Sequence, residues 1–223
     1  FWCGYTGPVI WNFYEGQETL GLVPVAYRHQ RINELLAGAA FAKKLGVSDV
    51  VTHVGYLPEN PYDSNFAGVV VCIRHIADKL KESNQNFLFE TGQETPVTLL
   101  RTIEEIGRDN VFINLDTANL ILYGKGNPVD ALDVFGKYVK GLHCKDGRFP
   151  TNGRELGEEV PIGEGKANLR AVIQKLHALS YTGTLTIERE IEGAQQDVDI
   201  LNARALLQSY IISRCRRNGK LPS

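Results

Sequence analysis

Four side chains that could bind a metal each end a short run of β-branched, aromatic or aliphatic residues. The set, called here the strand-end cluster, consists of Glu90, Asp116, His143 and Glu188. A single such residue is equally compatible with a salt-bridged strand end, so only the set of four indicates a site. Three carboxylates in one cavity repel one another and need a counter-charge, which a divalent metal ion supplies. Oxygen ligands with one imidazole favour Mn²⁺, with Mg²⁺, Co²⁺ or Zn²⁺ as alternatives.

Six strand-like runs, each followed by an amphipathic stretch of helical period, must position these side chains. This alternation is typical of βα units around a parallel sheet. The strands are predicted at 1–5, 49–54, 87–90, 111–116, 139–143 and 184–188. The helices are predicted at 26–45, 65–82, 96–107, 128–136, 169–179 and 195–214.

The polar strand ends favour a closed barrel over an open sheet. Chemistry in a (β/α)8 TIM barrel is built at the carboxyl ends of the strands, where the strand-end cluster stands. An open doubly wound sheet usually carries a GxGxxG turn after its first strand, and the sequence has none. We therefore predict an α/β chain with one TIM-barrel domain over residues 1–223.

Six βα units are two fewer than a full barrel has. The chain also begins with Phe1 rather than Met. We therefore expect about the first two βα units to be missing from this chain. The alternative is a genuine six-unit chain whose open sheet edges are covered by a partner.

Composition predicts a soluble protein that does not act on nucleic acid or membranes. The 223 residues are 43% apolar and 22% charged, with a net charge of −2 and a single basic cluster at 214–220. No apolar run approaches the roughly 20 residues of a membrane helix. The four cysteines lie far apart without a CxxC pair, as expected for reduced thiols in the cytoplasm.

Five motifs resemble those of the xylose isomerase-like TIM-barrel superfamily, in the same order. They are FETGQE (89–94), LDTANL (115–120), HCKDG (143–147), IGEG (162–165) and IERE (187–190). The resemblance runs from about residue 50 to 196 and is closest to the sugar (phosphate) isomerase and epimerase group, which includes ketose 3-epimerases. It implies that the strand-end cluster binds one divalent metal ion and that Glu90 and Glu188 also serve as catalytic acid and base.

The implied reaction is isomerisation or epimerisation of a sugar or sugar phosphate. Such a reaction removes a proton next to a carbonyl and stabilises the resulting enediolate, for which a metal ion acts as Lewis acid. Epimerisation also needs two groups that take and return the proton on opposite faces of the substrate. The expected partner is a small carbohydrate, and self-association stays open.

Six further residues are candidates for substrate contact. His53 ends a neighbouring strand, whereas the others lie in loops near the predicted mouth; each could instead be a packed or solvated residue without function. These candidates are His53, Asn119, Lys145, Asp146, Glu164 and Trp11.

Other activities stay open on the sequence alone. The neighbourhoods in which ketose 3-epimerases carry further substrate-binding Glu, His and Arg residues differ here, so the resemblance does not imply ketose specificity. A metal-dependent lyase or dehydratase acting on a keto-sugar or inosose is the first alternative. An endonuclease IV-like enzyme needs three zinc ions and a histidine where Asn119 stands. A truncated, inactive barrel is the last alternative.

Overall fold

A curled sheet of five parallel strands forms one half of a barrel. In this computed structural model, the backbone is described for residues 1–217 and the side chains for residues 1–211, so the side chains of the basic cluster lie outside the described part. The strands of the sheet are β1 (Asp49–Thr52), β2 (Asn86–Glu90), β3 (Val111–Asp116), β4 (Val139–Cys144) and β7 (Thr186–Ile187). They lie in the order β1-β2-β3-β4-β7, and the two strands between β4 and β7 in the chain form a separate hairpin.

Helices follow the strands of this sheet, as the sequence pattern predicts. The long ones are α2 (Val25–Lys44), α3 (Ser64–Lys81), α4 (Pro96–Ile106), α6 (Pro128–Phe135), α7 (Leu169–Ala178) and α8 (Ala194–Arg217). Capping residues explain where helices begin. Thr95, for example, caps α4 by accepting a hydrogen bond from the Thr98 amide at 3.3 Å, and proline occupies the first turn.

The apolar core lies between the sheet and these helices. Phe87 of β2 is fully buried, as are Ile73 of α3 and Leu99 of α4. Burial of such side chains is the main favourable contribution to folding, at about 25 cal/mol per Å² of apolar surface. The core therefore holds the carboxyl ends of the strands in fixed relative positions.

The two outermost predicted strands are shorter than expected. The run at 1–5 makes a single parallel bridge with β1, between Trp2 and Val51. Beyond this bridge the Cys3 carbonyl accepts from the Thr52 hydroxyl at 2.7 Å, and the Val54 carbonyl, two residues past the end of β1, accepts from the amides of Leu22 and Val23. The run at 184–188 is reduced to β7, an edge strand paired only with β4. The pairing with β4 does extend one step further, since the Glu188 amide donates to the Cys144 carbonyl at 3.1 Å.

The loops after residue 5, after β3 and after β4 contain structure that the sequence pattern did not predict. The loop after residue 5 holds the short helix α1 (Gly16–Thr19), and the loop after β3 holds the short helix α5 (Asn119–Leu122). The loop after β4 forms an antiparallel hairpin of β5 (Asp146–Arg148) and β6 (Glu158–Val160).

The buried guanidinium of Arg31 on α2 fixes the first loop. It donates to the carbonyls of Thr19 and Gly21 at 2.7 Å and of Pro8 at 2.9 Å. Gly21 has φ +67°, and a Cβ there would lie 2.1 Å from the Val54 backbone, so only glycine fits. This loop carries Trp11 to the carboxyl side of the sheet.

None of the helices in the described residues is both long and apolar enough to span a membrane.

Candidate metal and active site

The strand-end cluster converges at the carboxyl edge of the sheet. Each of its four side chains offers one ligand atom, and these atoms all lie within 4.8 Å of one another. Register explains the convergence, because Asp116 of β3 is directly paired with His143 of β4 and Glu188 follows β7 beside them. Glu90 and Asp116 are buried, whereas His143 and Glu188 are half-buried and face the solvent side.

Neighbouring groups hold one oxygen of each buried carboxylate and leave the other available. Glu90 Oε2 accepts from Asn114 Nδ2 at 2.7 Å. Asp116 Oδ1 accepts from the amides of Ala118 at 2.8 Å and Asn119 at 2.7 Å. Asp116 Oδ2 has no hydrogen-bond partner. The carboxylates are thus oriented by the protein, as metal ligands usually are.

His143 Nδ1 lies close to two carboxylates, 3.0 Å from Glu90 Oε1 and 2.9 Å from Glu188 Oε2. Neither contact has the geometry of a hydrogen bond, so Nδ1 and Glu188 Oε2 lie at ion-pair distance but have no hydrogen-bond partner. Together with Asp116 Oδ2, they are buried candidate ligand atoms that lie within 4.8 Å of one another. A divalent cation between them would satisfy all of them, so the residues present fit a metal ion.

The pKa values in the cluster reflect this crowding. Burial acts to lower the pKa of His143, but the adjacent Glu188 and Glu90 carboxylates raise it to about 10. Burial, with Glu188 and Glu90 nearby, raises the pKa of Asp116. Burial acts to raise the pKa of Glu188, yet contact with His143 and Asp116 lowers it to about 2. Strong perturbations in both directions are typical of functional sites.

Lys145 supplies a buried positive charge behind the cluster. Its Nζ lies 4.0 Å from Asp116 Oδ2 and 3.4 Å from Asn119 Oδ1, and it forms an ion pair with Glu190. The lysine side chain is 1% exposed, whereas that of Glu190 is 64% exposed. Lys145 therefore offsets part of the negative charge and positions Asn119 and Glu190.

A cavity of about 590 Å³ opens over the cluster. Its acidic side is formed by Glu90, Glu188 and Glu190, with His143 beside them. Its aromatic side includes Trp11, whose ring centroid lies 5.0 Å from that of His53. The cavity thus combines charged groups with an apolar wall, as expected for a small-molecule site.

The predicted substrate residues divide into two groups. The cavity is lined by His53, Asn119 and Trp11, but not by Lys145, Asp146 or Glu164. Lys145 lies behind Asn119, and Glu164 is exposed on a turn. The structure therefore does not bring these last three residues to the cavity wall.

Asp146 anchors a loop instead of facing the cavity. Its carboxylate accepts four backbone hydrogen bonds, from Gly147 at 2.9 Å, Gly163 at 2.9 Å, Gly165 at 3.1 Å and Ala167 at 2.9 Å. Both oxygens are occupied, and the residue is 3% exposed. The carboxylate thus joins the start of β5 to the GEG turn (163–165).

Several cavity residues were not predicted from the sequence. Those with polar side chains are Gln93, Tyr123 and Glu190, and the apolar ones include Trp2, Leu122 and Leu156. Glu190 could have been predicted, because side chains two residues apart in an extended chain lie on the same face and Glu190 follows Glu188 by two residues. Gln93 and Tyr123 lie in loop and short helical segments without periodicity, so no pattern pointed to them.

Glu94, next to Gln93, gives a prediction on pH dependence. Burial raises its pKa from 4.5 to about 8. A carboxyl with a raised pKa makes the folded state lose stability as the pH rises from about 4.5 to 8. We expect Glu94→Gln to leave Tm nearly unchanged at pH 5 and to raise it at pH 8. Thermal denaturation at both pH values tests this, and a Tm difference independent of pH would contradict it.

The comparison with known families decides the identity of the fold. A family model described as "Xylose isomerase-like TIM barrel" matches residues 14–208. The chain belongs to the xylose isomerase-like TIM-barrel family. The predicted barrel class is thereby confirmed, and the half-barrel described above is the part of that fold which this chain contains.

The chain is also similar to individual proteins. The crystal structure of a xylose isomerase domain protein from Planctomyces limnophilus has a TM-score of 0.87 and 32% identity, over 94% of this chain and 74% of that one. "Uncharacterized protein MJ1311" of Methanocaldococcus jannaschii is 30% identical over 167 residues, 68% of this chain and 54% of the relative. "Putative L-ribulose-5-phosphate 3-epimerase SgbU" of Escherichia coli is 31% identical over 97 residues, 42% of this chain and 33% of the relative. The chain thus spans about half, or less, of these curated relatives.

Proposed function

We propose that this protein is a divalent-metal-dependent epimerase or isomerase of a sugar, in which the strand-end cluster holds one metal ion. The single observation that carries the proposal is the convergence of four ligand atoms within 4.8 Å, three of them without a hydrogen-bond partner, beside a cavity lined by Glu90, His143 and Glu188. Membership of the xylose isomerase-like family and the similarity to a protein named as a sugar-phosphate epimerase support it. Mn²⁺ suits this ligand set best.

The bound ion would supply Lewis-acid polarisation of the substrate carbonyl. The chain itself supplies proton transfer. Glu188 Oε2 has no hydrogen-bond partner, and Glu90 Oε1 lies 3.0 Å from the same His143 Nδ1 that Glu188 contacts; both glutamates line the cavity. One carboxylate removes the proton next to the carbonyl, and the other returns one to the opposite face, which inverts the carbon centre.

The remaining cavity residues bind and orient the substrate in this proposal. His53 is half-buried, and its buried Nδ1 atom has no hydrogen-bond partner. Burial lowers its pKa, so the ring is a neutral group that can share a hydrogen bond with a sugar hydroxyl. Trp11 offers an apolar surface for the C–H face of the sugar. Asn119 accepts a hydrogen bond from Lys145 through its Oδ1 and lines the cavity.

This arrangement favours a small carbohydrate over a nucleic-acid substrate. Asn119 stands where the endonuclease-like alternative needs a histidine ligand, and its oxygen lies 3.4 Å from Lys145 Nζ. The cavity walls carry three glutamates, which would repel a phosphate backbone.

Solvent exchange tests the proposed reaction. The protein is incubated with Mn²⁺ and a panel of ketoses and their phosphates in D₂O, and deuterium at the carbon next to the carbonyl is followed by NMR. An epimerase incorporates deuterium and produces the epimer. A lyase instead releases a dehydrated product, and an absence of both outcomes across the panel would contradict the proposal.

A further inference from the structure

Buried polar atoms without partners are concentrated in one place. In the described part of the chain, nine such side-chain atoms occur, and six belong to the strand-end cluster or the cavity above it. Three of the six are metal-ligand candidates, and one is His53 Nδ1. The remaining two are the amide nitrogen and the amide oxygen of Gln93.

Gln93 is a buried residue that the proposed metal chemistry does not use. It is 1% exposed and lines the cavity three residues after Glu90. Its amide is near enough to Tyr123 to influence the pKa of that hydroxyl, yet neither amide atom reaches a partner with hydrogen-bond geometry. Both amide atoms of Gln93 lack partners, so exchanging the positions of its nitrogen and oxygen would leave the amide equally unsatisfied.

The backbone around Gln93 holds it in position. A Cβ on the preceding Gly92 would lie 3.3 Å from Asn119 Cβ and 3.6 Å from His53 Cε1, so this segment packs closely against two cavity residues. Two residues further on, Thr95 caps α4. A buried amide that is fixed in place without partners is unfavourable, and a ligand that pairs with it removes that cost.

The chemistry of the amide indicates the ligand. An amide carries both donors and an acceptor, and a hydroxyl group can satisfy either. A phosphate group at neutral pH mainly accepts, so it would leave the amide oxygen facing an anion. Glu190 lines the same cavity; its Oε2 pairs with Lys145, and its other carboxylate oxygen can accept from a hydroxyl but offers no donor to a phosphate. His53 Nδ1 adds a further polar atom of a neutral ring.

We propose that Gln93, together with Glu190, binds an unphosphorylated hydroxyl-bearing part of the substrate, and that the enzyme acts on a free sugar or polyol-like ketone rather than on a sugar phosphate. The inference rests on the proposed function, because it places the substrate in the cavity over the metal cluster. Gln93 is then a specificity-determining residue.

Binding measurements on matched ligand pairs test this inference. The probes are D-fructose, D-xylulose and L-ribulose, each against its terminal phosphate ester, with saturating Mn²⁺ and isothermal calorimetry as the readout. For the wild type we expect at least one free sugar to bind about tenfold or more tightly than its phosphate. In Gln93→Leu that affinity falls about tenfold or more, while Mn²⁺ binding and the Tm without ligand are not reduced.

Two further variants separate a ligand-binding role from a structural one. Gln93→Glu keeps the shape but replaces the donor group by a charge, and it should weaken free-sugar binding as Leu does. Gln174→Leu makes the same change at an exposed position on α7 and should leave sugar binding unaltered.

Four outcomes would overturn the inference while the wild type still binds Mn²⁺. They are tighter binding of the phosphates, unchanged sugar affinity in Gln93→Leu, a lowered Tm of ligand-free Gln93→Leu, and no binding of any of the six probes. Failure of the wild type to bind Mn²⁺ would instead contradict the proposed function itself.

Discussion

Replacing either Glu90 or Glu188 by glutamine is expected to reduce epimerisation by about 10²-fold to 10⁴-fold, the usual contribution of a general acid or base. The amide keeps the size of the side chain and an oxygen for coordination but cannot take up the proton. Because each carboxylate serves one face of the substrate, solvent exchange of the substrate proton should fall with the epimer whose proton the replaced residue removes. Formation of the epimer and deuterium incorporation in D₂O, measured from each epimer with saturating Mn²⁺, test this.

A matched control tests whether losing any nearby carboxylate, and not only the catalytic acid or base, slows the reaction. Glu192→Gln makes the same substitution a few residues beyond Glu188, at an exposed position. It should retain exchange at the wild-type rate. Wild-type exchange in both Glu90→Gln and Glu188→Gln would show that these carboxylates are not the acid and base.

Asp146→Ala is expected to destabilise the protein by about 4 kcal/mol or more. The substitution leaves four backbone N–H groups without an acceptor. Those of Gly147 and Ala167 are buried and cost about 1–3 kcal/mol each, whereas the partly buried ones of Gly163 and Gly165 add less. For a domain of this size, a loss of 4 kcal/mol corresponds to a fall in Tm of roughly 8–16 °C. Denaturant unfolding, followed by circular dichroism, gives the free energy of unfolding.

The control for this prediction is an exposed aspartate. Asp109 pairs with Lys81 at 2.6 Å, but both side chains are more than half exposed. Exposed ion pairs contribute about 0–1 kcal/mol, so Asp109→Ala should cost no more than that. If Asp146→Ala costs as little as Asp109→Ala, the carboxylate does not hold the GEG turn.

The parallel sheet was predictable because its strands repeat one signal. Each buried run of β-branched and aromatic residues is bounded by polar residues and followed by a helical period, as at 111–116 and 128–136. The edge strands were less predictable, because the length of an edge strand depends on what else competes for its backbone groups. The Cys3 carbonyl, which accepts from the Thr52 hydroxyl and not from a backbone amide, shows this beside β1.

The strand-end cluster was also visible in the sequence, since strand ends are positions that the fold itself brings together. Loop residues were not visible in the same way. Asp146 and Glu164 looked alike as polar residues near the mouth, yet one is a buried anchor and the other is exposed on a turn. Gln93 carried no periodic signal, and only burial without partners in three dimensions distinguishes it.

Metal stoichiometry tests the central claim most directly. Protein purified without chelator is supplied with Mn²⁺, freed of excess ion and analysed by elemental mass spectrometry. We expect one ion per chain in the wild type and a loss of that ion in Asp116→Ala and His143→Ala, with Asp109→Ala as the control that retains it. No ion in the wild type, three zinc ions, or full retention in both cluster variants would contradict the account.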